Sequence, residues 1–419
     1  MSTPSPLRQR DFRLLLLGQT TSQFGAQVSG IAIPLLAVIT LGASALEAGL
    51  LAAASTVAFA VIGLPAGAWI DRMRRRPVLI AADLARAVLL ATIPLAAVAG
   101  VLTVTQLIVV ALLTGVARVF FDIGYQSYLP VVIGRDRVLA GNSAMETVRA
   151  SGQFAGPGLG GWLTGLLGGA VVVLVQAVTF LVSAAALFAI RTPEPPPREL
   201  ASRQPARGRL RTEIRAGLAF VRHTPALRAT ALTSAVANFC FAIAAAVSVI
   251  FMARMLELSP SAIGLIVAAG SATVLAAAAV TPWLSRRVGS ARLAWLCLVV
   301  TGPAGLLIPL AEPGWTAIAF LIVGIGAGEV GQIIYAIASV SLRQRITPDE
   351  LLGRVNATMR VLIMGAFPLG GLAGGVLGEL AGPRATLWVV GVLTLLAPLP
   401  VWWVLRGTRD VEELDPAGP

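Results

Sequence analysis

The chain has 419 residues, of which 57% are hydrophobic and 12% charged. Soluble proteins carry about 25% charged residues, so this composition excludes an ordinary soluble domain and indicates an integral membrane protein. The net charge of +12 is the excess of 32 basic residues, all arginine, over 20 acidic ones. They fall in short polar breaks between apolar runs, without aromatic interleaving. That pattern excludes a nucleic-acid-binding face and fits the positive-inside rule. Cys240 and Cys297 both lie inside apolar segments, as buried free thiols do.

In chain order, Met1 to Arg13 is polar and basic, and the apolar run that follows is longer than the h-region of a signal peptide. It reads as a first transmembrane helix. Runs of at least about 18 apolar residues span a bilayer. Twelve are found, at about 14–40, 46–70, 78–99, 103–128, 143–168, 170–190, 226–253, 260–284, 291–311, 315–341, 356–380 and 384–406. Their short connections make neighbouring helices antiparallel. The expected fold is all-α, with twelve transmembrane helices in two pseudo-symmetric halves.

Connections from odd to even helices carry little charge. The opposite side holds Arg8, Arg10, Arg13, Arg72, Arg74, Arg75, Arg76, Arg135, Arg137, Arg286, Arg287, Arg343, Arg345, Arg406 and Arg409. Both termini are therefore expected in the cytoplasm of a multi-pass protein of the cell membrane. The long break 191–225, rich in Pro and then Arg, reads as a cytoplasmic linker, extended or disordered at its start. Leu210 to Val221 has helical spacing suited to a membrane surface. The expected organisation is a first half at 1–190, a linker at 191–225, a second half at 226–406 and a cytoplasmic tail at 407–419.

The halves repeat. Trp69-Ile-Asp-Arg72 aligns with Trp283-Leu-Ser-Arg286, Asn142 with Asn356 and Gly160-Gly161 with Gly374-Gly375, each at an offset of 214. Two similar six-helix halves around a central site make a transporter plan.

Gly67-Ala-Trp-Ile-Asp71-Arg72-Met-Arg74-Arg75-Arg76 lies between the second and third runs. It resembles the loop signature of the major facilitator superfamily, with Arg74 where a second glycine is usual. The resemblance implies a conformational latch. Gly67 would allow close helix packing, and Asp71 would pair with arginine or cap a helix N-terminus. Arg72, Arg75 and Arg76 complete it. Gly152-Gln-Phe-Ala-Gly156-Pro157-Gly158-Leu-Gly160-Gly161 resembles the Gly-Pro signature of antiporters in that superfamily. Small residues there allow close contact, and proline bends the helix. Over its whole length the chain is similar to the proton-driven exporters that include macrolide efflux pumps and the enterobactin exporter.

Charged residues within spanning runs are costly and mark function or pairing. Arg118 and Asp122 share a face at i, i+4, and the resemblance gives Arg118 a role in proton coupling. Asp83–Arg86 and Glu146–Arg149 read as structural pairs. Glu329 stands near the middle of its run, with Arg360 the nearest candidate partner in its half. A carboxylate in such a setting can bind and release a proton or face a cationic cargo. Gln19, Gln23 and Gln27 share a face on the first helix. With Asn238, Gln332 and Tyr335 they are candidate substrate-lining residues.

The implied function is export of a small, largely apolar or amphipathic molecule in exchange for protons. The partners are that molecule, protons and the lipid bilayer, with the chain acting as a monomer. Facilitated or symport uptake, or a membrane enzyme or sensor, are the alternatives. The single histidine, His223, falls in the linker, and neither a metal-binding pattern nor a nucleotide loop occurs in the sequence. No cofactor is expected, and the proton gradient supplies the energy.

Overall fold

The computed structural model describes residues 8–70, 72–134, 137–194 and 217–414. Asp71 and most of the linker lie outside the described residues. Twelve long helical segments follow one another. In the first half they are α1 (Arg10–Leu35), α2 (Ala45–Ile70), α3 (Arg75–Val98), α4 (Val104–Ile133), α5 (Val138–Leu167) and α6 (Gly169–Ala189). In the second they are α7 (Pro225–Ile250), α8 (Pro260–Val288), α9 (Ser290–Thr301), α10 (Trp315–Ile346), α11 (Asp349–Ala381) and α12 (Pro383–Leu396). A 3-10 stretch, Gly302–Leu306, and a short turn, Leu307–Leu310, extend α9, while Leu399–Leu405 continues α12 after a break at Pro398.

Eleven of the described helices are long and apolar enough to cross a membrane. The remaining long one is α5, whose polar first half carries Glu146 and Arg149. Hydrocarbon offers no hydrogen bonds, so a spanning segment must satisfy its backbone internally, and helices do so. Where a helix breaks, a side chain can intervene. Thr233 on α7 donates to the Ala397 carbonyl at 2.8 Å, just before the Pro398 break in α12.

The chain divides into two compact units, Met1–Leu200 with Leu258–Ala268, and Ala201–Glu257 with Ala269–Pro419. The first turns of α8 therefore pack with the first unit. That unit holds several apolar clusters, two of which bear on its charged residues. One includes Phe12, Leu79, Phe121, Tyr128 and Ile133, and the other Leu51, Leu90, Ile93, Leu107 and Phe180. The second unit is built on one larger cluster around Leu227, Tyr335, Leu342 and Val401. Cys240 and Cys297 are buried free thiols on α7 and α9.

The repeat extends into backbone geometry. Gly100 and Gly314, and Gly168 and Gly382, all have positive φ and stand 214 residues apart. Single π-turns, Leu36–Thr40 and Phe251–Met255, end α1 and α7. In the connection after each π-turn the chain passes through the left-handed region, at Gly42 in the first half and at Glu257 (φ 54°) in the second. Glu257 is the sole non-glycine residue with positive φ among those described. An L-residue pays about 1–2 kcal/mol there. Glu257→Gly should therefore raise stability by up to about 1 kcal/mol, read as a higher melting temperature of the detergent-solubilised protein.

Parts of the linker that are described are held in place. Asp11 on α1 accepts from the backbone amides of Arg191 (3.1 Å) and Thr192 (2.7 Å). Glu194 accepts from the amides of Arg75 (2.6 Å) and Arg76 (3.2 Å) and so caps the N-terminus of α3. Residues 191–194 form no helix, and two carboxylates, Asp11 and Glu194, tie this stretch to the starts of α1 and α3. Further on, residues 217–223 are helical. Gly217 there sits against Arg354 and Thr358 of α11, where a Cβ would come within 2.6 Å of the Thr358 hydroxyl.

The Gly-Pro segment gives α5 two close contacts. On one face, a Cβ at Gly156 or Gly160 would collide with Gln27 or with the Val28 carbonyl of α1. On the other, Gly161 meets Gly264, where a Cβ on either would lie 2.6 Å from the other's Cα. The cognate residues Gly370 and Gly374 on α11 seat the helix on α7 in the same way, against the carbonyls of Phe239 and Ile243. Gly152 has ordinary clearance, with Gln27 3.5 Å from a built Cβ. Gly160→Val should cost roughly 3 kcal/mol or more and Gly152→Ala less than about 0.5 kcal/mol. Fluorescence-detected size exclusion after a heating series would measure both.

Candidate functional site

The first unit carries three charge pairs within its helices. Asp83 and Arg86 on α3 form an ion pair, with the two residues 0% and 6% exposed. The Arg86 guanidinium lies between two rings, 4.3 Å from the centroid of Phe121 and 4.2 Å from that of Phe180. Phe121 belongs to one apolar cluster of this unit and Phe180 to the other, so the cation sits where they meet. Flat, weakly hydrated guanidinium suits such a double stack. On α4, Arg118 and Asp122 pair at 3.4 Å as their spacing predicts, with the Arg118 side chain 70% exposed. Glu146 and Arg149 pair on α5 in two further bonds of 3.1 and 2.9 Å.

The loop arginines have local partners. Arg76 donates to the carbonyls of Leu187 (2.9 Å) and Phe188 at the end of α6, and Arg75 lies 3.9 Å from Glu194. Arg72 is exposed. The close packing expected at Gly67 is absent in this structure. A Cβ there would meet nothing within 4 Å among the described residues, although the same turn packs on α4, where Trp69 stacks on Phe120 at 6.1 Å.

Glu329 is set differently. It occupies the middle of α10, half-buried. Among the described residues it makes neither a hydrogen bond nor an ion pair. Arg360, its expected partner, is engaged elsewhere. One side of α10, with Gly324 and Gly331, packs on α9 and its extension, where a Cβ at Gly331 would strike Thr301. One turn before Glu329, Thr273 on α8 donates to the Gly326 carbonyl at 3.1 Å. A Cβ at neighbouring Gly328 would meet open space. Gln332 follows Glu329 by three residues, hence on the same face, and is also half-buried. The cognate position in the first half, Gly115, has no room for a side chain of this kind, since a Cβ there would stand 3.2 Å from the Ser55 carbonyl.

Other candidate lining residues take varied places. Tyr335 is buried, its hydroxyl donating to the Thr230 carbonyl at 2.9 Å and bonded to Ser234 at 2.8 Å. Asn238 donates to the Ser234 carbonyl at 2.8 Å. Gln19 is buried, whereas Gln23 and Gln27 are half-buried beside α5. Among the described residues, no group of three His, Cys, Asp or Glu side chains is placed to hold a metal ion.

The family model for the Major Facilitator Superfamily matches residues 15–345. The chain belongs to this superfamily. Multidrug efflux pump Tap of Mycolicibacterium fortuitum is 30% identical over 397 residues, covering 91% of this chain and 93% of that protein. Among solved structures, the nucleoside transporter NupG matches with a TM-score of 0.75 at 12% identity, over 99% of this chain and 100% of that one. A bacterial homologue of the iron transporter ferroportin, in an inward-facing state, matches at 0.74 with 16% identity, over 94% and 98% of the two chains. These likenesses establish the fold and a multi-pass membrane transporter of small molecules.

Helix spacing made the pairs Asp83–Arg86, Arg118–Asp122 and Glu146–Arg149 legible in the sequence but gave no sign of the aromatic clamp on Arg86. Phe121 and Phe180 lie 35 and 94 residues from Arg86 in the chain, and nothing local links them. The cap by Glu194 was equally hidden, its only signal being an acid in a proline-rich stretch. Removing one member of a buried pair strands the other, at roughly 3–5 kcal/mol. Asp83→Ala should therefore lower thermal stability strongly, and adding Arg86→Leu should restore part of the loss, as a differential melting experiment on the three proteins would show.

Proposed function

We propose that this transporter exports a small, largely apolar or amphipathic molecule in exchange for protons, by alternating access between two half-transporters. The observation that carries the reading is Glu329. A carboxylate held in mid-helix without a partner is expensive in a membrane protein. Its place on an open side of α10, beside Gln332, gives that expense a use: it can accept a proton or a cation and give it up again. Open to the outside, Glu329 takes a proton. Open to the inside, it releases the proton as cargo binds from the cytoplasm or the inner leaflet.

Asp122, paired with Arg118 at 3.4 Å, is the second acid available to this cycle. The loop from Gly67 to Arg76, with Asp71 at its centre, sets the balance between the two states. Export is supported by the full-length similarity to a multidrug efflux pump, and drugs, antibiotics, siderophores and secreted metabolites all fit the cargo class.

Reconstitution into liposomes with an imposed pH gradient tests the cycle. The unmodified protein should move a fluorescent apolar cation against its own gradient when protons flow the other way. Glu329→Gln should abolish that coupled movement, at least about a hundredfold in rate, while its melting temperature stays within a few degrees. Unchanged efflux in the variant would remove Glu329 from the mechanism, and movement indifferent to the pH gradient would leave a facilitator.

A further inference from the structure

At the arginine-rich end of the second unit, the end of α8, the start of α9 and the end of α12 with its tail enclose a groove. Its cavity is about 610 Å³, lined by Arg287, Val288, Arg292, Trp295, Leu296, Arg406 and Arg409. Four of these seven residues are cations, and all four are exposed. Two acids adjoin the groove, and both are committed: Glu413 accepts from the Arg409 amide at 3.0 Å. Asp410 accepts from the Ser290 amide at 2.9 Å and so caps α9, leaving only a 3.7 Å approach to Arg409. Arg287, Arg292 and Arg406 have no carboxylate partner among the described residues. Like charges gathered without a counter-ion repel, so the arrangement calls for an anion from outside the chain.

Two features specify that anion further. Arg287 stacks on Trp283 at 4.8 Å and Arg406 on Trp402 at 5.5 Å, and both tryptophans are exposed. Tryptophan at a helix end marks the membrane–water boundary. Val299, Val300 and Leu399, beyond the groove, are exposed apolar residues on α9 and α12. The ligand therefore meets arginines at its head and hydrocarbon along its body. In addition, the Trp295 indole N–H is buried at the groove wall with no acceptor among the described residues, and a phosphate oxygen would supply one. Guanidinium forks match phosphate geometry, and basic pockets between membrane helices hold acidic head groups.

We propose that this groove binds the phosphate head group of an acidic phospholipid, tying α8, α9 and α12 together at the membrane surface. The proposal is independent of cargo and of transport direction.

Native mass spectrometry of the full chain in detergent, titrated with cardiolipin, phosphatidylglycerol or phosphatidylcholine, tests it. The two acidic lipids should bind at least about tenfold more tightly than phosphatidylcholine. Arg292→Glu with Arg406→Glu should remove that preference, and the lysine pair at the same positions should keep most of it. If the glutamate variant does not fold, Arg292→Gln serves instead, since that side chain is exposed and makes no hydrogen bond among the described residues; it should weaken acidic lipid severalfold. Equal binding of all three lipids, an undiminished preference in the variants, or displacement of the lipid by millimolar glycerol phosphate would each overturn the assignment, the last in favour of a soluble phosphate ligand.

Discussion

A bilayer interior offers the backbone no hydrogen-bond partners, and the rest of this structure depends on that constraint. It forces helices, and once every segment is a helix, the fold is decided by how closely their axes approach. Lipid tails are as apolar as leucine, so close packing and buried polar contacts hold helices together. The glycines of α5 and α11 serve this purpose. Gly160 and Gly374 place backbone against the carbonyls of α1 and α7, and the distance between the two residues is the 214-residue repeat itself. Duplicated geometry at Gly100 and Gly314, and at Gly168 and Gly382, shows that the repeat is one of backbone shape even where side chains have diverged.

Against that shared frame the polar groups differ between halves. In the first, charges are settled in pairs: Asp83 with Arg86, Arg118 with Asp122, Glu146 with Arg149. The deepest cation is further enclosed by two rings from separate apolar clusters. Phe121 is part of that enclosure. In the second half, Glu329 is left without a partner among the described residues. A group whose charge is balanced stabilises one arrangement, whereas an unbalanced one makes the helix around it responsive to what binds there.

The sequence made the twelve helices, the repeat and the three charge pairs of the first half legible because they follow from composition and spacing along the chain. Helix breaks were harder to see. The 3-10 stretch after α9 and the interruption of α12 at Pro398 lie inside continuous apolar runs, where glycine and proline are tolerated if a neighbour satisfies the freed carbonyl, as Thr233 does. Grouping the first turns of α8 with α5 could not be read from the chain, because it rests on Gly161 meeting Gly264 across about a hundred residues. The same holds for Glu194 at the start of α3. Pairs set by helix periodicity, such as Arg118 and Asp122, were readable, and contacts set by tertiary approach were not.

The placement of the two cysteines has a practical side. Both thiols are enclosed by packed helices, and a buried thiol in apolar surroundings is poorly reactive. The native protein thus presents a chemically silent surface to maleimides. A single cysteine introduced at an exposed loop would be the one site to accept a fluorophore or spin label, and distances between such labels could follow the transporter through its cycle with its own two thiols left in place.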